Sequence, residues 1–367
     1  MLILETNKDA LLKPLQTVTG IVERRHTLPI LSNVLIDCQD GQVGLLGTDL
    51  EIQIHTDGPK SELENFKLTV NAKKLQDILR ALPDNATIKM EHEGTQLTVK
   101  AGKGRYNLQT LDARDFPTMD IAENISVVFT LTQEVLREML SQVQYAMAVQ
   151  DIRFYLNGLL MQVDGDMLRL VATDGHRLAY AQHKIEANLP KSELVLPRKT
   201  VLELFKLLAF PNEPITIEFL HNQVRFSARD TIIVSKIVEG KFPDYERVIP
   251  QDNNKIFRLS RTVFLEALER ASILASEKFK GTTLSVKPGL LVITCINNEQ
   301  EKAQEEIEIA YQGEEVELSF NIQYLMDVLR NLHSEDVQLA FGAQMQSMLL
   351  TIPDNNDFKY IVMPMRI

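Results

Sequence analysis

The run VNAKKLQDILRAL at residues 70–82 recurs in pattern as LPRKTVLELFKLL at residues 196–208 and as FNIQYLMDVLRNL at residues 320–332. In each copy, apolar residues recur at helical spacing, an acid precedes a base by three residues, and a leucine ends the run. Internal repetition at a nearly constant spacing indicates a tandem array of similar domains. The spacing predicts three domains, at residues 1–125, 126–253 and 254–367.

Shorter matches keep the same spacing and outline each domain. Thr48-Asp49 is matched by Thr173-Asp174, and Phe116-Pro117 by Phe242-Pro243. Each copy opens with a short strand that leads into an amphipathic helix, and alternating strands separated by turn residues follow. The predicted helices are Lys8–Thr19, Gln133–Ala146 and Arg261–Leu274, with Thr6, Thr132 and Ser260 as N-caps. Pro14 disfavours the first of them. The fold class is therefore α+β, with three repeats of two helices against an antiparallel sheet.

Composition and charge exclude several classes of protein. The chain has 367 residues, is 44% hydrophobic, and carries a formal net charge of −11, which argues against a uniformly basic coat. It has no run of about 18 uncharged apolar residues, so we expect no membrane-spanning helix. The acidic start Met1–Glu5 is unlike a secretory signal. Two distant cysteines, Cys38 and Cys295, favour a reducing cytoplasm over a disulfide framework.

Sheet edges and charge predict self-association. Tandem domains can join their sheet edges to one another, but the first and the third domain each retain one unpaired edge. A head-to-tail contact between two chains pairs these edges and can close a ring. Between Glu299 and Glu317 eight glutamates stand with one base, Lys302, whereas the first domain carries Lys100, Lys103 and Arg105. These charges favour contact between the first and third domains, although a solvated acidic face explains the same run.

Equivalent bases in the three repeats leave two explanations open. The bases are Arg80, Lys206 and Arg330, and the acids three residues before them are Asp77, Glu203 and Asp327. If the helices share one side of the protein, the bases would contact nucleic-acid phosphates without sequence preference and in a salt-dependent way. Alternatively, each base pairs with its own acid and needs no ligand.

Several longer motifs follow one another in a fixed order. They are LLKPL (11–15), TLPIL (27–31), GTDLE (47–51), QDIRFYLNG (150–158), ATDGHRLA (172–179), GKFPDY (240–245), EKF (277–279) and YIVMPMRI (360–367). Over its whole length the chain resembles the bacterial sliding clamps, the beta subunits of the DNA polymerase III holoenzyme. The resemblance implies a non-catalytic processivity factor without a cofactor or metal. It implies a ring-shaped head-to-tail homodimer, with helices lining the hole, that encircles double-stranded DNA and tethers the polymerase.

The resemblance also implies partners and a location. The expected partners are the clamp loader, the replicative and translesion polymerases, ligase and mismatch-repair factors, all bound through short linear peptides. No membrane is involved, and the expected location is the cytoplasm, in association with the nucleoid.

DNA contacts follow from the resemblance at seven positions: Arg25, Lys73, Gln150, Phe154, Tyr155, Arg198 and Lys199. Lys73 stands where relatives have arginine, which keeps the charge but loses the bidentate geometry. Phe154 stands where they have tyrosine, so the ring remains without its hydroxyl. Ordinary strand packing is an equally simple explanation for Phe154.

A pocket for partner peptides is implied between the second and third domains. Leucine, valine, proline and adaptable methionine side chains would form its apolar floor, with Arg177, Arg247 and His176 orienting polar or C-terminal groups at its rim. Without the resemblance, Tyr360–Ile367 would be interpreted as a closing strand. The pocket residues are Leu156, Thr173, Gly175, His176, Arg177, Leu178, Pro243, Arg247, Val248, Tyr324, Ser347, Val362, Met363, Pro364, Met365 and Arg366.

The implied dimer interface joins the two outer domains. It comprises Lys74, Arg105, Tyr106 and Leu108 on one chain against Ile273, Leu274, Glu301, Glu305 and Glu306 on the other. This chain departs from the family at Lys302 and Gln304, which replace glutamates, and at Asn298, which replaces a proline. Apolar contacts should therefore carry more of the interface, and dimerisation should be less sensitive to salt than in relatives.

Two other functions fit parts of the sequence. One is a peptide-binding scaffold that does not encircle DNA. The other is a hydrolase that uses Asp174 and His176, although the sequence has no nucleophile elbow, zinc-protease motif or phosphate-binding loop. Retention on nicked circular DNA distinguishes a clamp from a scaffold.

Overall fold

The structure, a computed structural model, describes residues 1–23, 28–343 and 346–366. The helices within these ranges are α1 (Lys8–Thr19), α2 (Ala72–Ala81), α3 (Gln133–Val143), α4 (Arg198–Leu207), α5 (Arg261–Ser272) and α6 (Ile322–Asn331). The first eleven strands are β1 (Leu2–Asn7), β2 (Asn33–Gln39), β3 (Gln42–Thr48), β4 (Ile52–Lys60), β5 (Phe66–Asn71), β6 (Thr87–Glu93), β7 (Gln96–Ala101), β8 (Gly104–Leu111), β9 (Val127–Thr132), β10 (Gly158–Thr173) and β11 (Arg177–Pro197). The others are β12 (Pro214–Phe219), β13 (Gln223–Ala228), β14 (Thr231–Lys236), β15 (Lys255–Ser260), β16 (Gly281–Lys287), β17 (Leu290–Ile296), β18 (Lys302–Glu308), β19 (Val316–Asn321), β20 (Asp336–Phe341), β21 (Met348–Thr351) and β22 (Phe358–Val362).

The three copies of the thirteen-residue pattern fold alike. In each copy a strand ends at the second residue, and α2, α4 or α6 begins at the third. Asn71 and Asn321 cap α2 and α6, because their side chains accept hydrogen bonds from the amides of Lys74 and Gln323. The strand-to-helix prediction is confirmed in all three repeats.

The helix that opens each repeat is also present, with small differences from the prediction. Helix α1 has the predicted bounds and accommodates Pro14, but its N-cap is Asn7, whose side chain accepts from the Asp9 amide, so the prediction of Thr6 is wrong. Helix α3 ends at Val143 and continues as a 3-10 turn, Gln144–Ala146. Ser260 occupies the N-cap position of α5 without a side-chain capping bond, and α5 ends at Ser272.

All strand pairs are antiparallel, and the sheets lie in two compact units. The first unit comprises 1–134 and 202–237 and holds a twelve-stranded sheet in the order β1-β6-β7-β8-β5-β2-β3-β4-β14-β13-β12-β9. The second comprises 135–201 and 238–367 and holds a six-stranded sheet, β10-β11-β22-β21-β20-β15, and a four-stranded sheet, β18-β17-β16-β19. The α+β class is confirmed, whereas the domain boundaries at 125 and 253 stay predictions.

Two strand pairs join neighbouring repeats inside the chain. In the first unit, β4 of the first repeat pairs with β14 of the second, with Ile54 opposite Ile233. In the second unit, β11 of the second repeat pairs with β22 of the third, with Ala179 opposite Tyr360. These joints confirm that tandem copies continue one another's sheets.

Within the part of the chain that the structure describes, β1, β9, β10, β15, β18 and β19 end their sheets, and two open edges bear on the predicted contact between chains. Strand β18 ends the four-stranded sheet and pairs with β17 alone. Strand β8 pairs with β7 along Gly104–Gln109, and it meets β5 only at Thr110 and Leu111. These two edges lie in the first and third repeats, whereas β9 and β10 leave further open edges in the second repeat.

Two expectations from composition can be compared with the structure. Cys38 and Cys295 are both buried free thiols. Among the described residues no helix combines the length and the apolar character that crossing a bilayer requires.

Candidate functional site

A cavity of about 180 Å³ in the second unit is lined mainly by apolar side chains. Its walls come from the end of the 3-10 turn Phe154–Leu156, from the turn between β10 and β11, from the segment before Val248, and from β22. The lining residues are Arg153, Tyr155, Leu156, Thr173, Gly175, Arg177, Leu178, Pro243, Tyr245, Val248, Ile361 and Met363.

The floor of the cavity belongs to a packed apolar cluster. Leu178 and Ile361 face each other across the β11–β22 pair, and both are buried together with Tyr245. Val248 packs against this cluster and remains partly exposed. An apolar side chain of a ligand that entered the cavity would therefore exchange water for a preformed apolar surface.

The turn between β10 and β11 is held by its own side chains. Asp174 Oδ1 accepts hydrogen bonds from the amides of His176 at 2.9 Å and Arg177 at 3.0 Å. Gly175 has a φ of +90°, a conformation that favours glycine. Because backbone amides and Arg177 occupy the Asp174 carboxylate, its role is to hold the turn, and this geometry gives no support to the hydrolase hypothesis.

Arg177 lines the cavity, but its side chain is only 9% exposed and does not serve as a free charge at the rim. It donates to Asp174 Oδ2 at 3.1 Å, to Asp327 Oδ2 at 2.6 Å, and to the carbonyl of Tyr145 at 2.7 Å. Burial opposes the charge, yet Tyr360, Asp327 and Asp174 together raise the pKa of Arg177 above its ordinary value. The predicted rim role of Arg177 is therefore corrected to an internal one.

Arg153 supplies the rim charge, and the sequence prediction missed it. Its guanidinium makes a bidentate pair with Asp151, with Nη2 2.8 Å from Oδ2, and also lies 3.4 Å from the carbonyl of Asp174. The hydrogen bonds from Arg153 lower the pKa of Asp151 to about 2. Arg153 belongs to the motif QDIRFYLNG, and the acid two residues before it, Asp151, is the sequence feature that could have indicated this ion pair.

Tyr155, Tyr245 and Ile361 also line the cavity. The prediction assigned Tyr155 to DNA and omitted Tyr245 and Ile361, which carry no charge that would mark them in a sequence. Eight other predicted pocket residues do not line this cavity and stay predictions: His176, Arg247, Tyr324, Ser347, Val362, Pro364, Met365 and Arg366. Arg247 pairs with Asp244 at 2.7 Å.

The predicted DNA contacts are in differing environments. Arg25 lies outside the described residues. Gln150 and Phe154 are exposed, and Phe154, at 73% exposure on a 3-10 turn, does not support the strand-packing explanation. Lys73 pairs with Asp77 at 3.1 Å. Arg198 and Lys199 are half-buried; Arg198 donates to the Met147 carbonyl, and burial, followed by nearby Arg177, lowers its pKa.

The recurring acid–base pairs form in two repeats and not in the third. Asp77 lies 4.0 Å from Arg80, and Glu203 lies 2.7 Å from Lys206. In the third repeat Asp327 pairs with Arg177 instead, and Arg330 pairs with Glu269 at 2.8 Å. The local-pair explanation is therefore confirmed for the first two repeats and wrong for the third.

The predicted dimer residues lie on or near the two open strand edges. Arg105, Tyr106 and Leu108 belong to β8, and Glu305 and Glu306 belong to β18. Ile273 is 78% exposed, whereas Leu108 is only 8% exposed. Leu108 therefore offers little further apolar area to a second chain.

Glu305 is already neutralised inside its own chain. Arg270 of α5 donates to its carboxylate at 2.6 Å, and this hydrogen bond lowers the pKa of Glu305. Lys74, Glu301 and Glu306 are exposed. One of the three predicted interface acids, Glu305, is thus already paired with Arg270 before any second chain binds.

Comparison with known proteins identifies the family. Models of the N-terminal, central and C-terminal domains of the DNA polymerase III beta subunit match residues 2–120, 130–244 and 246–366. The chain belongs to the DNA polymerase III beta subunit family. It is 42% identical over 364 residues to the beta sliding clamp of Pseudomonas aeruginosa and 40% identical over 361 residues to that of Escherichia coli K12, and in both cases 98% of each chain is covered.

Solved structures give the same result in three dimensions. The sliding clamp of Pseudomonas aeruginosa bound to griselimycin superposes with a TM-score of 0.96 at 41% identity, and the Caulobacter crescentus beta sliding clamp with a TM-score of 0.93 at 34% identity. Each comparison covers 100% of both chains. The family resemblance seen in the sequence motifs is confirmed.

Proposed function

We propose that the chain is a DNA sliding clamp. Two copies form a head-to-tail ring around duplex DNA, with helices lining the hole, and tether the replicative polymerase for processive synthesis. The observation that carries this proposal is the similarity of the whole chain to proteins named beta sliding clamp, at 40–42% identity over 98% of its length. The protein acts without catalysis, in the cytoplasm and at the nucleoid.

The two joints inside the chain support a third joint between chains. Ile54, Ala179 and Ala303 follow one another at the spacing of the sequence repeat, as do Tyr106, Ile233 and Tyr360. Ile54 pairs with Ile233, and Ala179 pairs with Tyr360. The third pair in this series, Tyr106 with Ala303, has its members on β8 and β18, each of which has an open edge at that residue. A second copy of the chain supplies the missing partner, and head-to-tail pairing closes the ring.

Topological linkage removes the need for tight DNA binding. A closed ring stays on DNA because it encloses it, so the inner surface needs only weak phosphate contacts. The pairs between Lys73 and Asp77 and between Lys206 and Glu203 leave the helix cations partly neutralised. This balance favours sliding, and the net charge of −11 discourages DNA from binding to the outside.

The apolar cavity suits short linear peptides. Its floor at Leu178, Tyr245 and Ile361 accepts apolar anchors, and Arg153 at its rim can orient a carboxylate or a polar group. The proposed ligands are peptides of the clamp loader, the replicative and translesion polymerases, ligase and mismatch-repair factors. The Pseudomonas aeruginosa relative has been solved with griselimycin bound, and we propose that the same compound binds this chain.

The ring is tested by cross-linking across the proposed joint. The double variant Tyr106→Cys/Ala303→Cys should form disulfide-linked dimers on oxidation, because directly opposed residues of an antiparallel pair have Cα atoms close enough for a disulfide. The matched control is Tyr106→Cys/Gln304→Cys, in which a shift of one residue turns one thiol to the opposite face. Equal cross-linking in both variants would contradict the register.

Encirclement is tested separately on DNA. The Tyr106→Cys/Ala303→Cys ring is first loaded onto nicked circular DNA by a clamp loader and is then oxidised. The cross-linked ring should stay with the DNA during gel filtration in high salt. Linearising the DNA should release it. A peptide-binding scaffold that does not encircle DNA would show the same retention before and after linearisation, and that result would overturn the proposal.

A further inference from the structure

Asp327 departs from the pairing that its repeat predicts. The equivalent acids Asp77 and Glu203 lie beside the bases of their own helices. Asp327 instead accepts a hydrogen bond from Arg177 Nη1 at 2.6 Å, across 150 positions of sequence, while Arg330 turns to Glu269 of α5. One helix of the third repeat is thereby tied to β11 of the second.

Arg177 depends on this carboxylate because its surroundings are buried. Its guanidinium carbon lies 4.3 Å from the centroid of the Tyr324 ring and 5.7 Å from that of Tyr145. Its other hydrogen-bond acceptors are Asp174 and the Tyr145 carbonyl. Removing one partner of a buried ion pair leaves an uncompensated charge, which drives the other group to move.

The Asp327 carboxylate is itself fixed in place. Gln323, one turn earlier on α6, donates from Nε2 to Asp327 Oδ1 at 2.7 Å, and Oδ2 accepts from Arg177. Both oxygens therefore have a defined partner. The side chain is oriented before any ligand binds, as a supporting residue must be.

The effect of Asp327 reaches the cavity through Arg177. Arg177 lines the cavity, is bonded to Asp174 through both its amide and its Nε, and precedes Leu178 of the floor. Asp327 is not among the lining residues. We infer that Asp327 is a positioning residue for peptide binding: it sets the place of the Arg177 side chain and of the β10–β11 turn without touching the ligand. This inference rests on the proposed function of the cavity.

Griselimycin provides the probe, and its affinity is measured by calorimetry on the purified protein at a temperature well below its unfolding transition. Asp327→Asn should weaken binding by about tenfold, the order expected for coupling between contacting residues. Asp327→Glu, which restores the charge, should recover part of the loss. The matched control Glu269→Gln breaks the ion pair of Arg330, away from the cavity, and should leave the affinity unchanged. Leu178→Ala reports whether the compound uses the cavity.

The outcomes separate this inference from the proposed function. If Leu178→Ala loses affinity while Asp327→Asn binds as the parent does, the inference is wrong and the peptide cavity stands, even if the melting temperature falls. If the parent chain binds no griselimycin, both are contradicted. If Asp327→Asn does not fold, the milder Gln323→Ala decides: a weaker affinity supports the inference, and an unchanged affinity overturns it.

Discussion

Tyr245 donates its hydroxyl hydrogen to Gln162 Oε1 across 3.0 Å, in the buried region beside the cavity floor. Burial, with Tyr180 close by, raises the pKa of Tyr245 to about 12, so the hydroxyl stays protonated and remains a donor at neutral pH. Gln162 in turn donates to Glu193 at 2.9 Å. Hydrogen bonds from Tyr245 to Gln162 and from Gln162 to Glu193 thus fix the Tyr245 ring, which forms part of the cavity floor.

Tyr245→Phe should lower the free energy of unfolding by about 1 kcal/mol, the net value of one buried hydrogen bond. The ring remains, so the affinity for griselimycin should change little. Urea denaturation and calorimetry measure the two quantities. A large loss of affinity with unchanged stability would mean that the hydroxyl, rather than the ring, serves the ligand.

Asp77→Asn should strengthen the binding of duplex DNA. Asp77 lies 3.1 Å from Lys73 and 4.0 Å from Arg80, so removing its charge releases cations for phosphates. Each additional phosphate contact should steepen the slope of log affinity against log salt by about 0.9. Asp112→Asn, which breaks a similar exposed pair with Arg114, is the control and should leave the slope unchanged. Weaker DNA binding by Asp77→Asn would contradict the assignment of this helix to the DNA side.

Dimerisation should depend less on salt than in relatives that carry glutamates at the positions of Lys302 and Gln304. Lys302 and Gln304 supply no negative charge to β18, and Arg270 already neutralises Glu305. Dissociation constants measured by analytical ultracentrifugation at several salt concentrations test this. Lys302→Glu should restore a steeper dependence, because it adds an acid to the edge that β8 and its basic residues approach. A steep loss of dimer in the parent chain would refute the prediction.

The Asp151 carboxyl should titrate near pH 2. Its side-chain hydrogen bond with Arg153 lowers its pKa from 3.8 to about 2. A depressed pKa means that the contact is fully present above pH 3.8 and is lost as the pH falls through about 2. The orientation of Arg153 should therefore not vary between pH 5 and 8. Carbon-13 NMR of the carboxyl group follows the titration, and in Arg153→Gln the midpoint should return towards 3.8.

The local parts of the fold and the joining of sheets between repeats were predictable, whereas the partner of an individual charged side chain was not. The starts of α2, α4 and α6 follow from a strand-to-helix pattern that thirteen neighbouring residues contain. The pairing of Arg177 with Asp327 spans 150 positions, and the pattern indicated a different partner, Arg330, three residues away. A charge pattern along one helix cannot reveal that a neighbouring strand will supply a stronger buried partner.

Part of the predicted pocket coincides with the apolar cavity, and local backbone geometry explains one of the differences. Leu156, Leu178 and Pro243, which are predicted for the peptide pocket, line the apolar cavity. The resemblance implies DNA contacts for both Phe154 and Tyr155, but the 3-10 turn directs Phe154 to solvent and Tyr155 to the cavity. Adjacent residues of a tight helical turn point in different directions, so one motif serves two surfaces.

The strand joints differ in what happens after they break. If β4 separates from β14, or β11 from β22, the polypeptide still tethers the two strands, and the high local concentration returns them to each other. The proposed seam between β8 and β18 has no covalent tether, so once both seams of a ring have opened, re-forming them depends on how much protein a cell contains. A closed annulus would therefore open at the junction between chains, because separation there leaves each chain folded.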